Sequence, residues 1–378
     1  MNFGFTQEQQ ILRSEVRKYL EERCPMEDAR RIMESAEGYC PERWKEIAEL
    51  GWLGLLVPES YGGAGLGWVD LVVLLEETGR ALFPSPLLGT VLATLAIVEN
   101  GSPEQQQRYL PRIAEGTDLF SVAWLERADV LDPEVQATRA VREGDDLVLD
   151  GEKLFVTDAV SASHFIVSCR ESEGPEGIAL AVVPADAAGV TVTNLPSIDA
   201  SKRLGKVSLA GVRVPADATL QGASGRPAGA AALGRLFDHA AAAITAEMVG
   251  AAEGAHAMVV EYAKARRQFG SLIGRFQGVK HPLAEMYVDI ESFKSLLYYA
   301  AWCLDEAPDE AAEHVSMAKA YASDAFTRIG IDAVELHGAI GYTWEYDAQL
   351  YLKRSKWAKA MFGSADHHYE RVAELGVV

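Results

Sequence analysis

The stretch "AKARRQFG", residues 263–270, places Lys264, Arg266 and Arg267 within four positions of a 378-residue chain whose formal net charge is -20. Guanidinium groups are planar forks of N–H donors that match phosphate oxygens two at a time. The stretch closes one long helical run, and "SLIGRFQGVKHPLAEM" leads into the next, so it occupies a helix–helix corner. A cation at the C-terminal end of a helix also complements the helix dipole. Two readings follow: a phosphate-bearing ligand held by Arg266, or a cationic helix end in a solvated turn. Other reactive groups are sparse. Cys24, Cys40, Cys169 and Cys303 are far apart, form no CxxC pair, and have no His or Cys at metal-ligand spacing. No metal site is predicted, and Cys303 reads as a small core residue in an apolar helical run.

The elements that must position these residues fall into three blocks. Residues 1–117 read as helical: Ile11, Val16 and Leu20 recur at helical spacing, Pro41 opens a second helix, "DLVVLLEETGRAL" is a third, and Ser102 caps a fourth. Residues 118–222 change period. "DDLVLDGEKLFVT", "SHFIVSCR", "GIALAVVP", "GVTVTNL" and "KVSLAGVRVP" are short, rich in Val and Ile, and separated by Gly, Asp and Pro. With no helix-length segments between them, an antiparallel sheet is expected. Residues 223–378 return to long amphipathic helices, expected to pack as a four-helix bundle. The fold class is α+β and multidomain.

Bulk composition narrows the functions. Lys and Arg total 35 against 55 acids, which argues against nucleic-acid and membrane-surface roles. No apolar run reaches the length of a membrane span and no signal-peptide pattern opens the chain, so a cytoplasmic protein is expected.

The block order and three segments resemble the acyl-CoA dehydrogenases. "GWLGLLVPESYGGAG" is similar to that family's amino-terminal signature; "YAKARRQFGSLIGRFQGVKHPLAEM" and "ELHGAIGYTWEYDAQLYLKRSK" are similar to its two carboxyl-terminal ones. The resemblance implies an oxidoreductase of lipid metabolism, a flavoprotein that uses FAD to remove hydrogens from Cα and Cβ of an acyl-CoA thioester. It also implies a tetramer with FAD between subunits and an electron-transfer flavoprotein as partner. Arg266 falls on the family's arginine that reaches the FAD pyrophosphate of a neighbouring subunit. Phe276 and Gln277 fall beside the adenosine portion, and Glu335, Leu336, His337 and Gly338 match the turn that meets the cofactor phosphates. Phe155 and Thr157 fall on positions against the isoalloxazine, although a strand aromatic is the plainer reading of Phe155. Ser364 is carried over as a further cofactor contact, and Asp238 matches a position that contacts CoA.

The departures are as informative. Glu335 stands where the family commonly has glutamine, and Ala339 where it commonly has glycine. The family's glycine- and hydroxyl-rich flavin loop is replaced by "VAWLERADVLDPEV", residues 122–135, with Leu125 and Glu126 in its approximate place. Phe362 and Ala240 occupy both positions where the family carries its glutamate base, and neither accepts a proton. Glu247 lies about 10 Å along the helix from Ala240 and near the same face, either as a replacement base or as a paired or solvated carboxylate. His367 and His368 are expected to be exposed. Three readings result: a base-lacking subunit of a heteromer, of the type used in steroid and bulky-acyl degradation; an active homo-oligomer with Glu247 or Asp238 as base; or a non-catalytic assembly or acyl-CoA-binding member.

Overall fold

The computed structural model describes residues 4–127, 130–221 and 228–376; the expected boundary at residue 222 lies outside them. α1 (Gln7–Arg23) starts where Thr6 and Gln9 form a reciprocal capping box. α2 (Met26–Met33) follows, then α3 (Pro41–Glu49), which opens on Pro41. α4 (Trp68–Arg80) and α5 (Leu87–Asn100) are buried on nearly every face, and α6 (Pro103–Ala114) is capped by Ser102 with Gln105 returning the bond. Arg17 of α1 grips Glu77 of α4 with two donors, at 2.8 and 2.7 Å, so the buried carboxylate is fully matched.

Seven strands form one sheet: β1 (Phe120–Ala123), β2 (Arg139–Glu143), β3 (Asp146–Thr157), β4 (His164–Arg170), β5 (Ile178–Pro184), β6 (Val190–Leu195) and β7 (Leu204–Pro215). The order is β1-β4-β2-β3-β7-β6, with β5 also on β4. Most pairs are antiparallel, but β1 lies parallel to β4, with Phe120 opposite His164, so the sheet is mixed. Parallel pairing needs a long connection, and the excursion through β2 and β3 supplies it. Leu147, Leu149, Phe165, Val167, Val207 and Val212 fill the core. The register of β3 against β7 breaks between Lys153 and Val156, and Phe155 sits in that break at φ 52°. Such a bulge re-aims a side chain off its regular face.

The remaining elements are α7 (Gly229–Ala265), β8 (Arg267–Gln268), β9 (Ser271–Leu272), α8 (Gln277–Glu306), α9 (Pro308–His337), α10 (Ala348–Ala360) and α11 (Ala365–Gly376). The helix–helix corner expected around Arg266 contains a miniature hairpin. Its turn residues, Phe269 at φ 50° and Gly270 at φ 77°, are both left-handed, as a primed two-residue turn requires.

Packing groups the chain into two compact units, one of residues 1–30, 68–83 and 241–378, the other of residues 31–67 and 84–240. In the first, α4 and α7 cross on two glycines. A Cβ on Gly79 would stand 2.2 Å from the Glu247 carbonyl oxygen, and one on Gly250 would stand 1.7 Å from that of Glu76. Among the described residues, no helix is long and apolar enough to cross a membrane.

Candidate cofactor and substrate site

In the first unit, the α7–α8 corner presents its cations outward. Arg266, Arg267, Arg275 and Lys280 are exposed, and Arg266 and Arg267 form no ion pair among the described residues, while Lys264 is taken by Glu261 at 2.7 Å. The exposed rings of Phe269 and Phe276 meet edge to face, 6.1 Å between centroids. Gln277 is exposed at the first position of α8. Free guanidinium forks beside exposed aromatic faces suit a ligand that carries both phosphate and a flat base.

The second motif reaches the same corner through His337. Its buried ring lies 4.5 Å from Tyr262 near the end of α7 and 4.7 Å from Tyr346, and its Nδ1 meets the Ala333 carbonyl at 2.6 Å. Burial lowers its pKa, so the ring is held neutral as a packing element. Beyond His337 the turn itself is exposed. Gly338, at φ 66°, has open space where a side chain would point; Leu336 is half-buried and Glu335 exposed on the last turn of α9.

The turn at Phe362 is locked from beneath. Phe362 is buried at φ 55°, and its carbonyl meets His368 Nε2 at 2.8 Å. Lys319, fully buried, donates to the Gly363 carbonyl at 2.9 Å and to Ser323 Oγ at 3.0 Å. Burial pushes the Lys319 ammonium down to about 7 and His368 down to about 3, the latter helped by the nearby Lys319 charge. His368, expected at the surface, is therefore a core residue supporting the turn. Ser364 is exposed, and its hydroxyl accepts from the His367 backbone N–H at 3.2 Å, capping α11.

Glu247 does not stand free as a base. It is buried, with Oε2 3.6 Å from Nη1 of Arg354, itself buried on α10. Its carboxylate is thus the counter-charge of a buried guanidinium.

In the second unit, the segment of residues 122–135 turns Glu126 toward the sheet while Arg127, Asp132 and Glu134 are exposed; its residues 128–129 lie outside the described ones. Glu126 accepts from the backbone N–H groups of Ala137 at 2.5 Å and Thr138 at 2.7 Å, and from Lys153 Nζ at 2.7 Å. Lys153, fully buried on β3, also reaches Gln136 and Ser168, each at 2.9 Å. Burial alone would raise the Glu126 carboxyl, but the Lys153 charge and the donors around it hold it below the ordinary range. Glu126 is thus a fold-building anion. Phe155 is 37% exposed in its bulge, while Thr157 is buried, its Oγ1 3.4 Å from Ser121 Oγ and against Gly89 of α5. The Thr157 side chain packs inward; Phe155 alone of the pair offers an outward face.

Asp238 is buried on α7, beside Phe237, whose ring packs on Trp124 at 5.7 Å. Trp124, Leu125, Leu131, Pro133, Leu233 and Phe237 line a small apolar cavity. The next residue, His239, meets Glu99 of α5 at 2.6 Å, and Arg235 stands 3.7 Å from the same carboxylate. Burial would raise Glu99, but His239 and Arg235 hold it low. Sequence reasoning missed this pair, since no local spacing joins Glu99 to α7. It also missed Lys153–Glu126, for which a signal existed: Lys153 shares the inward phase of Leu147 and Leu149 on β3, and a lysine there needs an anion.

A helical block, a mixed β block and a helical block with a cationic hairpin define a class of flavin-dependent dehydrogenase folds. Residues 6–117 match the acyl-CoA dehydrogenase N-terminal domain, 122–209 its middle domain and 228–376 its C-terminal domain. The chain is 30% identical to acyl-CoA dehydrogenase IpdE2 of Mycolicibacterium smegmatis over 368 residues, 97% of this chain and 98% of that protein. A solved variant of the Tcur3481-Tcur3483 steroid ACAD is 32% identical with a TM-score of 0.87, covering 98% of this chain and 97% of that one. The ChsE4-ChsE5 complex from Mycobacterium tuberculosis is 29% identical with a TM-score of 0.89, each chain covered in full (100%). The chain belongs to the acyl-CoA dehydrogenase family, whose cofactor is FAD. The unpaired forks of Arg266 and Arg267, the exposed phenylalanine pair and the open Gly338 turn fit the phosphate and adenosine side of FAD. Of the two residues expected against the flavin ring, Phe155 is exposed and Thr157 is buried.

Proposed function

We propose that this chain is the subunit of a mixed acyl-CoA dehydrogenase oligomer that completes a neighbouring subunit's FAD site and does not supply the catalytic base. On this reading Arg266, Phe276, Gln277 and the backbone of the Glu335–Gly338 turn reach the cofactor of the neighbour, and Asp238 lies along the CoA moiety. Phe155 remains as the contact to a flavin ring; Thr157 and Ser364 serve packing and helix capping. The three domains are those of residues 1–117, 118–222 and 223–378. The names of the steroid ACAD and of the ChsE4-ChsE5 complex support a two-chain assembly and a bulky acyl thioester as substrate. An electron-transfer flavoprotein would reoxidise the cofactor.

The α,β-dehydrogenation removes a proton from Cα and a hydride from Cβ. FAD, when bound, accepts the hydride. The proton needs a carboxylate held over the thioester in a dry site. Phe362 offers a phenyl ring at one family position, with its turn pinned by Lys319 and His368, and Ala240 offers a methyl group at the other. Phe362 carries the reading. With Glu247 held by Arg354 and Asp238 given to the CoA moiety, the partner chain supplies the proton acceptor on this reading.

The test compares the chain purified alone with the same chain co-expressed with a family member that carries the glutamate base. Flavin content and acyl-CoA-dependent bleaching are measured for both. The chain alone should be slower by about 10² to 10⁴, the usual cost of losing a positioned base. Equal turnover by the chain alone would reject the heteromer and return Asp238 and Glu247 to consideration, with Asp238→Asn and Glu247→Gln deciding between them.

A further inference from the structure

Cys303 lies near the end of α8, and Glu310 and His314 lie one turn apart at the start of α9. The corner between the helices is tight. The Ala307 N–H donates to the Cys303 carbonyl, the Glu310 N–H donates to the Ala307 carbonyl, and Pro308 takes the first helical position. The corner brings the Cys303 sulfur, a Glu310 carboxylate oxygen and a His314 ring nitrogen within 4.8 Å of one another. Sequence spacing predicts no such group, because the histidine and the carboxylate lie beyond a helix break from the cysteine.

The plain alternative is a buried thiol beside a surface His–Glu pair. Two features go further. Tyr299 supports two of the three donors at once: its hydroxyl meets Glu310 Oε2 at 3.4 Å, and its ring stands edge-on to His314 at 4.5 Å. Side chains that orient ligands in this way are a regular part of metal sites. Burial is also graded, with Cys303 buried, His314 half-buried and Glu310 exposed, so the fourth side opens to water.

We propose that Cys303, Glu310 and His314 form a three-ligand zinc site at the α8–α9 corner, with water as the fourth ligand. A thiolate, an imidazole and a carboxylate together make a zinc donor set. Zinc–ligand bonds of about 2.0 to 2.3 Å in a tetrahedron set donor–donor distances near about 3.5 Å. From 4.8 Å the donors must close by about an ångström, a movement within reach of side-chain rotation. As the sulfur–zinc bond forms, the thiol proton passes to water, and thiolate and carboxylate together neutralise the dication. The site is separate from the residues assigned to FAD and substrate.

The full chain is dialysed against zinc chloride at low micromolar concentration, and bound metal is counted by plasma mass spectrometry. One zinc per chain is expected, with affinity weakened at least about tenfold in Cys303→Ser and in His314→Gln. Cys40→Ser, which removes a thiol elsewhere, should leave binding intact. Circular dichroism checks each fold, and the half-buried His314 carries the test should the Cys303 variant fold poorly. Absence of bound zinc in the parent chain, or zinc undiminished in His314→Gln, overturns the proposal.

Discussion

At the α7–α8 corner Arg266 and Arg267 stand exposed and form no ion pair among the described residues, whereas beneath the loop from Trp124 to Thr138 Glu126 collects three donors, one of them Lys153 of β3, which is wholly enclosed. Both regions are rich in charge. The corner leaves its charge available to a ligand, and the loop uses its charge to close on itself. A buried charge that is already matched has nothing left for a ligand, so Glu126 and Lys153 stabilise the sheet. A charged residue therefore informs about function only once its partner is known.

The sharpest way to break this contrast is Glu126→Ala. It leaves the Lys153 ammonium in a fully buried position without its anion, a loss that typically costs about 3 to 5 kcal/mol. The urea midpoint should fall accordingly, while Glu126→Gln, which keeps an acceptor oxygen for one of the Ala137 and Thr138 N–H groups, should fall less. An unchanged midpoint in Glu126→Ala would mean that the loop is not built on this pair.

The same variant carries a pH signature. Burial pushes Lys153 down to about 8 from 10.5, with Glu126 pulling back upward. Between those values the unfolded chain holds a proton that the folded chain has lost, so the Lys153 contribution to stability rises with pH across that window and is flat below it. A neutral amine no longer needs its carboxylate. Without Glu126 to raise it, Lys153 in the folded variant titrates below its wild-type value of about 8, so the deficit of Glu126→Ala should be largest at the acidic end, shrink as pH rises toward about 8 and be largely gone above it, as read from paired urea titrations. A deficit that grows with pH would contradict the assignment.

The two regions also differ in how much of them could be read in advance. Helix starts at Thr6, Pro41 and Ser102 and the strands β3 to β7 were legible, because caps and apolar alternation are local signals. β2 was not, since it buries only Ala140. The corner was legible because its cations cluster within four residues of an acidic chain. The closure of the loop through Glu126 was not legible, because it depends on Lys153, which is remote from it in sequence. His368 was misplaced for the same reason: its partner is the Phe362 carbonyl, and a backbone acceptor leaves no mark in the residue types.

On the open side, Arg266→Ala should leave the melting temperature of the chain alone unchanged, because the side chain is exposed and supports nothing within the fold. FAD retention by the mixed oligomer should weaken by about one to two orders of magnitude, the worth of one charge-assisted contact of about 1.5 to 3 kcal/mol. Unchanged flavin content would reduce the corner to a cationic helix end.

The smallest expected effect is the most discriminating about that corner. Phe269 is 93% exposed and sits at φ 50°, and its ring touches Phe276 at 6.1 Å. A left-handed conformation costs a non-glycine residue about 1 to 2 kcal/mol, and a side chain so exposed recovers almost none of it by burial. Phe269→Gly removes that strain but adds about 0.4 to 1 kcal/mol of unfolded-state entropy, so the chain alone should gain at most about 1.6 kcal/mol. A turn selected only for its shape would carry glycine at both positions. If the ring is held out for a flat ligand base or a neighbouring subunit, Phe269→Gly should lower FAD retention or mixed-oligomer assembly while raising the stability of the isolated chain. Those opposite signs, read by flavin fluorescence and by melting temperature on the same preparation, are the expected outcome. A variant that melts higher and retains FAD and assembly in full would show that the aromatic pair serves no ligand, and the corner's role would then rest on Arg266 alone.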